Sequence, residues 1–543
     1  MKKQISDNAI HVNALLTAVQ KEANLARTEN GAVTYRSSGS ACLDLFGTIG
    51  ALRSAPYEDI LTRFIHAWAE DKDLAMKILF YGRDIRGGLG ERRMFRIILT
   101  WLAVMHPEAI AHNLKNIPEY GRFDDMLMLL QSPCKQQVLQ FIEEQLKQDL
   151  LHLDAFEAKF GQPQELARTI DTKGSETQKM LAYATSEKSG ISLLAKWMPS
   201  INASSSWTIH YAKLIADHLK MRPCQYRKML ARLRASLNLL ENYMRVANYT
   251  FDYSKQPSKA MLIHRNAFLK NDGERYSAFL DAVANGTAKL NTAAVYPYEI
   301  IRPIIQKSEP YGVYYNNEPM FTTKIEQKAL DVTWNAQKDY TQGKNALVVI
   351  DGSGSMYGGG NPLPAEVALS LGIYFAERNT GAFKNHFITF SETPQLVKIK
   401  GNNIVDKVLD VMSYHEIANT NIEAVFDLIL NSAVKNHVAQ SELPETIYII
   451  SDMEFDECAI NADLTNFENA KLKFQSAGYE LPHLVFWNVQ SRHCQQPVRM
   501  NDSGATLVSG CSPSTFELVV SGTTPFEFMM NVLNSERYAG ICA

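Results

Sequence analysis

The sequence predicts a two-domain chain, an all-α half followed by a doubly wound α/β half, and three observations lead there. At 543 residues the chain is longer than one core accommodates. From Ile10 to about Ala336, apolar residues recur three and four positions apart, the period of amphipathic helices. From Gly343 onward, short β-branched runs alternate with helical segments, which is the pattern of a mostly parallel sheet. The boundary is expected in the polar stretch 339–344, which gives domains of residues 1–340 and 341–543.

In the first half the helical periodicity is clearest over residues 60–68, 74–80, 94–104 and 126–130. Gly87-Gly88, Pro107, Pro118, Pro199, Pro223, Gly273 and Pro297 punctuate it. Helices of modest length joined by short turns, with almost no strand pattern, predict stacked pairs in a HEAT-like solenoid, although no clean repeat period stands out. In the second half, strands are expected over 346–350, 386–390, 395–399, 446–450, 483–489 and 505–508. Helices are expected over 364–378, 405–412, 422–433, 464–477, 514–520 and 526–533.

Composition narrows the class. Hydrophobic residues make up 46% and charged residues 21%, ordinary values for a globular chain. No apolar run reaches membrane-spanning length and the first residues lack a signal-peptide core, so a cytoplasmic protein with no membrane contact is expected. Seven cysteines are scattered without a C-x-x-C pair, which argues against a disulfide framework or a zinc site. The net charge of −3 divides unevenly: residues 1–340 balance to +7 and residues 341–543 to −10. Within the first half, residues 213–275 alone balance to +8, so an anionic partner is expected there.

The second half carries its chemistry at strand ends. Ala346-Leu-Val-Val-Ile-Asp351 runs into Gly-Ser353-Gly-Ser355, and Thr446-Ile-Tyr-Ile-Ile-Ser-Asp452 is a second buried run ending in aspartate. Loops after neighbouring parallel strands converge at the C-terminal edge of a doubly wound sheet. Asp351, Ser353, Ser355, Asp452 and Thr420, in the polar loop 419–421, can therefore surround one point. Oxygen donors with few charges suit Mg²⁺ or another hard divalent cation. Enzyme signatures are missing from the same residues. A second aspartate two positions after Asp351 would suit a phosphatase, but Ser353 stands there. Neither serine sits in G-x-S-x-G, and no phosphate-binding G-x-x-x-x-G-K-[ST] occurs. Glu454, Asp456 and Glu457 read as a solvated acidic turn rather than as groups that tune the metal.

The Asp351-Gly-Ser-Gly-Ser355 run, with Thr420 and Asp452, resembles the metal-ion-dependent adhesion site of von Willebrand factor A domains. The resemblance implies that the two serines and the threonine contact the metal while the aspartates act partly through water. It also implies one position left for the carboxylate of a protein partner.

In the first half, cations are interleaved with aromatic and hydrogen-bonding residues: Arg222, Arg227, Lys228, Arg232, Arg234, Lys259, His264 and Arg265 are the candidates for contact with RNA. Arg227, Lys228 and Arg232 recur at helical spacing, so one helix face can present several charges to phosphates. A second basic run, Tyr81 to Arg93, holds glycines that either turn one helix into the next or cradle a phosphate. Thr28-Glu-Asn-Gly-Ala-Val-Thr-Tyr35, Arg83-Asp-Ile-Arg-Gly-Gly-Leu-Gly-Glu-Arg92, Ile117-Pro-Glu-Tyr-Gly-Arg-Phe-Asp-Asp125 and Ala294-Val-Tyr-Pro-Tyr-Glu-Ile300 resemble the TROVE module of the Ro autoantigen family, in a related branch. That resemblance implies helical repeats closing into a ring and a non-catalytic scaffold that binds small structured RNA or single-stranded RNA ends. The alternative is a metal-dependent protein-interaction module.

Overall fold

The computed structural model describes residue 19 and residues 23–160, 190–305, 324–414 and 420–543, apart from 238, 246, 459, 460, 462, 520 and 521. The start of the helical pattern at Ile10, and Asn419 of the 419–421 loop, lie outside the described residues.

The α/β half is a six-stranded sheet of β3 (Ala346–Asp351), β4 (His386–Phe390), β5 (Leu396–Lys398), β6 (Thr446–Ser451), β7 (His483–Asn488) and β8 (Ala505–Ser509), in the order β5-β4-β3-β6-β7-β8. All neighbours are parallel except β5, which runs antiparallel to β4. β3, β6, β7 and β8 are buried along their whole lengths, as expected of strands covered on both faces. The helix Pro364–Arg378 crosses from β3 to β4 and lies on β3 and β6. It comes so close that a Cβ on Gly372 would stand 2.3 Å from Ile350 Cδ1. The chain builds outward from β3 in one direction through β4 and β5, then returns to β6 and builds in the other. The gap between the ends of β3 and β6 is therefore the topological switch point.

The first half is helical in the main, with Tyr57–Glu70, Lys72–Arg83, Arg93–Met105, Lys135–Phe160, Ser206–His218, Pro223–Ser236, Ser258–Asn271 and Gly273–Ala284 as its longer helices. Sequential neighbours pack on one another, as in Tyr57–Glu70 against Lys72–Arg83 and Ser258–Asn271 against Gly273–Ala284. Two features depart from the expectation of helices alone. A short antiparallel pair, β1 (Leu25–Arg27) and β2 (Val33–Tyr35), opens the described chain. It docks on the α/β half through bridges Gly31–Asp456, Val33–Thr465 and Tyr35–Gln496. The helix Ala41–Thr48, capped by the Ser40 side chain, then packs on β8 and on the helix Pro525–Leu533. Likewise Pro297–Ile305 packs on Pro364–Arg378. One contiguous apolar core runs from Ala32 to Ile541 and crosses residue 340, while a smaller one, including Phe251, Tyr253, Phe268 and Tyr276, serves the helices between Leu240 and Ala336.

The glycine-rich run after Lys72–Arg83 serves as a turn. Arg86 bonds the Glu119 carbonyl, Arg92 pairs with Asp124 at 2.9 Å, and Arg93 donates to the Ala55 carbonyl at 2.6 Å. Behind them Arg83 and Arg96 clasp buried Asp125 at 2.7 Å each. The two guanidiniums hold that carboxyl below its usual range against the cost of its burial.

Candidate functional site

β3 and β6 pair in parallel with Ile350 opposite Ile450, so Asp351 and Ser451 emerge side by side with Asp452 next. Ser451 Oγ donates to Asp351 Oδ2 at 2.6 Å, and the Ser353 backbone N–H donates to Asp351 Oδ1 at 2.9 Å. The hydroxyls of Ser353 and Ser355 stand 3.1 Å apart. Asp351, Ser353 and Asp452 are buried. Burial, with the charge of Asp452 second, pushes the Asp351 carboxyl up to about 7. The structure thus gathers Asp351, Ser353, Ser355 and Asp452 at the switch point.

Thr420 precedes Asn421, whose side chain caps the helix Ile422–Asn436. Its hydroxyl is directed to the loop after β6, 2.8 Å from the Glu454 carbonyl and 3.0 Å from Asp456 Oδ1. It also accepts a bond from Asn30 Nδ2 at 2.6 Å. Thr420 is therefore tied to the 454–456 loop and to the N-terminal turn, and among the described residues its bonds do not reach the serines.

The loop after β6 is not the solvated acidic turn that its composition suggests. Glu454 is 2% exposed. One of its carboxylate oxygens accepts the Glu29 backbone N–H at 2.8 Å and Gln495 Nε2 at 2.9 Å, and the other meets His493 Nδ1 at 3.0 Å. Thr28 Oγ1 donates to the Phe455 carbonyl at 2.6 Å, and Asn30 Nδ2 also reaches the Glu454 carbonyl at 2.7 Å. Glu457 pairs with Arg27. The acidic residues form the seat on which the turn between β1 and β2 sits. Arg492, four residues beyond β7, joins this arrangement by bonding Asp452 Oδ2 at 2.6 Å and Glu29 Oε2 at 2.9 Å.

The donors fit a hard divalent cation. Two buried carboxylates and two hydroxyls present oxygen alone, and a single guanidinium leaves the pair of carboxylates short of positive charge.

The basic candidates divide. Arg222, Arg227 and Lys228 are exposed at the start of the helix Pro223–Ser236, and no carboxylate among the described residues pairs with them. Arg232 pairs with Asp154 at 2.6 Å and with Glu157. Arg234 donates to the carbonyls of Ala195 and Met198 and to Ser200 Oγ, closing the end of the short helix Leu194–Trp197. Lys259 pairs with Glu299 beneath the Tyr296 ring, and Arg265 turns back onto the Leu262 carbonyl, where burial lowers its pKa. His264 packs on Phe268. Four of the eight candidates thus already have partners within the fold, Arg232 and Lys259 in ion pairs that stay partly exposed and Arg234 and Arg265 on backbone carbonyls.

The helical period also marks an aromatic group on an exposed face. On the helix Ser206–His218 the buried positions are Ala212, Ile215 and Ala216, which places Trp207 roughly on the opposite face. Trp207 is 62% exposed, with the rings of His210 and Tyr211 centred 6.3 and 6.4 Å from its own. That helix packs on Pro223–Ser236, so the aromatic group and the exposed cations belong to one helical pair. Arg492 and Glu29 gave no such signal, because their contact joins residues far apart in sequence.

Two family models match the chain: the domain of unknown function DUF2828 over residues 28–151 and 208–340, and the domain of unknown function DUF7788 over residues 345–535. The crystal structure of the Deinococcus radiodurans RO (RSR) protein is similar at 13% identity and a TM-score of 0.32, over 91% of this chain and 93% of that one. The uncharacterized protein L728 of Acanthamoeba polyphaga mimivirus is 31% identical over 541 residues, which cover 94% of this chain and 87% of that protein. By that identity and coverage the chain, with its DUF2828 region ahead of its DUF7788 region, belongs to the family of the mimivirus protein.

Proposed function

We propose that the protein is a non-catalytic RNA-binding scaffold, in which a solenoid-like helical half receives the RNA and the α/β half carries a Mg²⁺-type site. The observation that supports it is the helical pair 206–236. Exposed Trp207, flanked by His210 and Tyr211, lies on one helix, and exposed Arg222, Arg227 and Lys228 lie on the other. Aromatic faces stack on unpaired bases at about 1–3 kcal/mol each, and nearby cations hold the phosphates, which together suit single-stranded or loop RNA. At the strand ends, Asp351, Ser353, Ser355 and Asp452 would hold the cation. The cation would supply positive charge between two buried carboxylates and so fix the loops after β3 and β6. The alternative, a protein partner offering an acidic side chain to the metal, meets a site where Asp452 is already paired with the chain's own Arg492.

The test is nucleic acid that accompanies the protein purified from its cells, read by ultraviolet absorbance and sequencing, followed by binding titrations across salt. The variant Trp207→Ala/Arg227→Glu/Lys228→Glu is expected to bind single-stranded RNA at least about tenfold more weakly. Loss of two phosphate contacts should also lower the salt slope by about 1.4. Unchanged affinity and slope would move the RNA surface elsewhere, and absence of any salt-dependent RNA binding by the wild type would sink the reading.

A further inference from the structure

The cation beside the carboxylate pair is one of the chain's own. Arg492 Nη2 lies 2.6 Å from Asp452 Oδ2 and Nη1 lies 2.9 Å from Glu29 Oε2, while its buried Nε has no hydrogen-bond partner. The guanidinium is thus held at two corners and unsatisfied at the third, an arrangement that a stronger cation can disturb. The other bond to Asp452 is the Glu454 backbone N–H at 3.3 Å, so most of the compensation of that buried carboxylate comes from Arg492. Glu29, by contrast, is fixed by its backbone. Its own N–H and the side chains of Thr28 and Asn30 on either side are all bonded to the 454–456 loop, which keeps its carboxylate beside Arg492.

We propose that Arg492 is the built-in counter-cation of this site, bridging Asp452 to Glu29 of the N-terminal turn, and that a divalent cation on Asp351, Ser353, Ser355 and Asp452 competes with it. This rests on the metal reading above. Two cations a few ångströms apart at a buried carboxylate repel strongly, so the site gains a divalent ion as Asp452 gives up the guanidinium. Glu29 is then the anion to which Arg492 remains paired. The device ties the ion affinity of the α/β half to the position of a turn from the other half of the chain.

Calorimetric titration of the full chain with Mn²⁺ tests the competition. Arg492→Gln is expected to bind Mn²⁺ about tenfold or more tightly than wild type, the effect of removing one charge-assisted competitor. Arg492→Lys should fall between the two, and Asp351→Ala should not bind. Glu29→Gln should shift affinity the opposite way, to weaker binding, because Arg492 then has only Asp452 to pair with. It serves as the second variant should Arg492→Gln fail to fold. Should wild type bind in an Asp351-dependent way while Arg492→Gln binds no tighter and Glu29→Gln no weaker, the role of Arg492 is overturned and the metal reading stands. If neither wild type nor Arg492→Gln binds Mn²⁺, both fall.

Discussion

An imidazole enclosed by strands on both sides has little means of keeping a second proton. His483 opens β7, is 5% exposed, and shares one hydrogen bond, Nε2 to Thr506 Oγ1 at 2.7 Å. Burial, with the charge of Lys344 second, pushes its pKa down to about 4. The unfolded chain takes up this proton near pH 6.5, so between about 6.5 and 4 only the unfolded state binds it. Stability is therefore fully present above that window and falls by up to about 3 kcal/mol as acid is added through it. Asp351 has the opposite sign: its raised pKa gives stability below the ordinary carboxylate range that is lost as pH rises to about 7. The two are separated by comparing melting temperatures of wild type and His483→Gln at pH 4.5 and 7.5; the variant should lose less on acidification. An equal loss would place the acid sensitivity elsewhere. At this scale the sequence was informative where chemistry follows a strand, as for Asp351 and Asp452. It was silent where a contact joins distant segments, as for Glu29 and Arg492, or where a cation is consumed by a carbonyl, as for Arg234.

Elements were legible in proportion to their length. β3 and β6 are six-residue, mostly apolar strands ending at or beside a carboxylate, and they stand where the run pattern puts them. β1 and β2 have three residues each, too few for alternation to register, and their stability comes from bridges to the α/β half rather than from their own pairing. The helix Ala41–Thr48 was legible as a helix, but nothing in its periodicity states that its apolar face meets β8. The 3-10 turn Ile49–Ala51 that follows the helix comes close to the end of β8. The Gly50 N–H donates to Ser509 Oγ at 3.0 Å, and a Cβ on Gly50 would stand 2.8 Å from Gly510 Cα. The atoms that Cβ would meet, Gly510 Cα and N and Ser509 C, are all backbone and cannot swing aside, so Gly50→Ala should cost about 1–3 kcal/mol and lower the melting temperature. Gly273→Ala, at the start of a helix with nothing within 4 Å of the added methyl, is the control and should be neutral or slightly stabilising. Equal melting temperatures for the two variants would show that the Gly50 contact opens without cost.

Across the whole molecule, the division near residue 340 marks a change of pattern and not a gap in the core. The apolar cluster that contains β3 and β6 also contains Leu43, Phe46, Ile49, Ile300 and Ile304 from before that boundary. Polar bonds follow the same route. Arg302 pairs with Glu366 at 2.8 Å, Trp334 Nε1 donates to Glu377 at 2.6 Å, and Asp84 accepts Arg537 and the Tyr538 hydroxyl from the last turn of the chain. Charges pair across the boundary in both senses, Arg302 with Glu366 and Arg537 with Asp84. A fragment of residues 341–543 keeps every strand of the large sheet but loses the helices Ala41–Thr48 and Pro297–Ile305, along with β1 and β2. Its bared apolar surface should bind a hydrophobic dye, associate into larger species in sizing chromatography, and melt well below the full chain. Co-expression with residues 1–340 should restore a soluble complex, because the lost contacts are apolar faces and ion pairs that form without chain continuity. A monomeric fragment that melts cooperatively at the temperature of the full chain would show instead that the α/β half is complete by itself, and that the packing of the N-terminal turn on the loop after β6 is an addition to a finished domain.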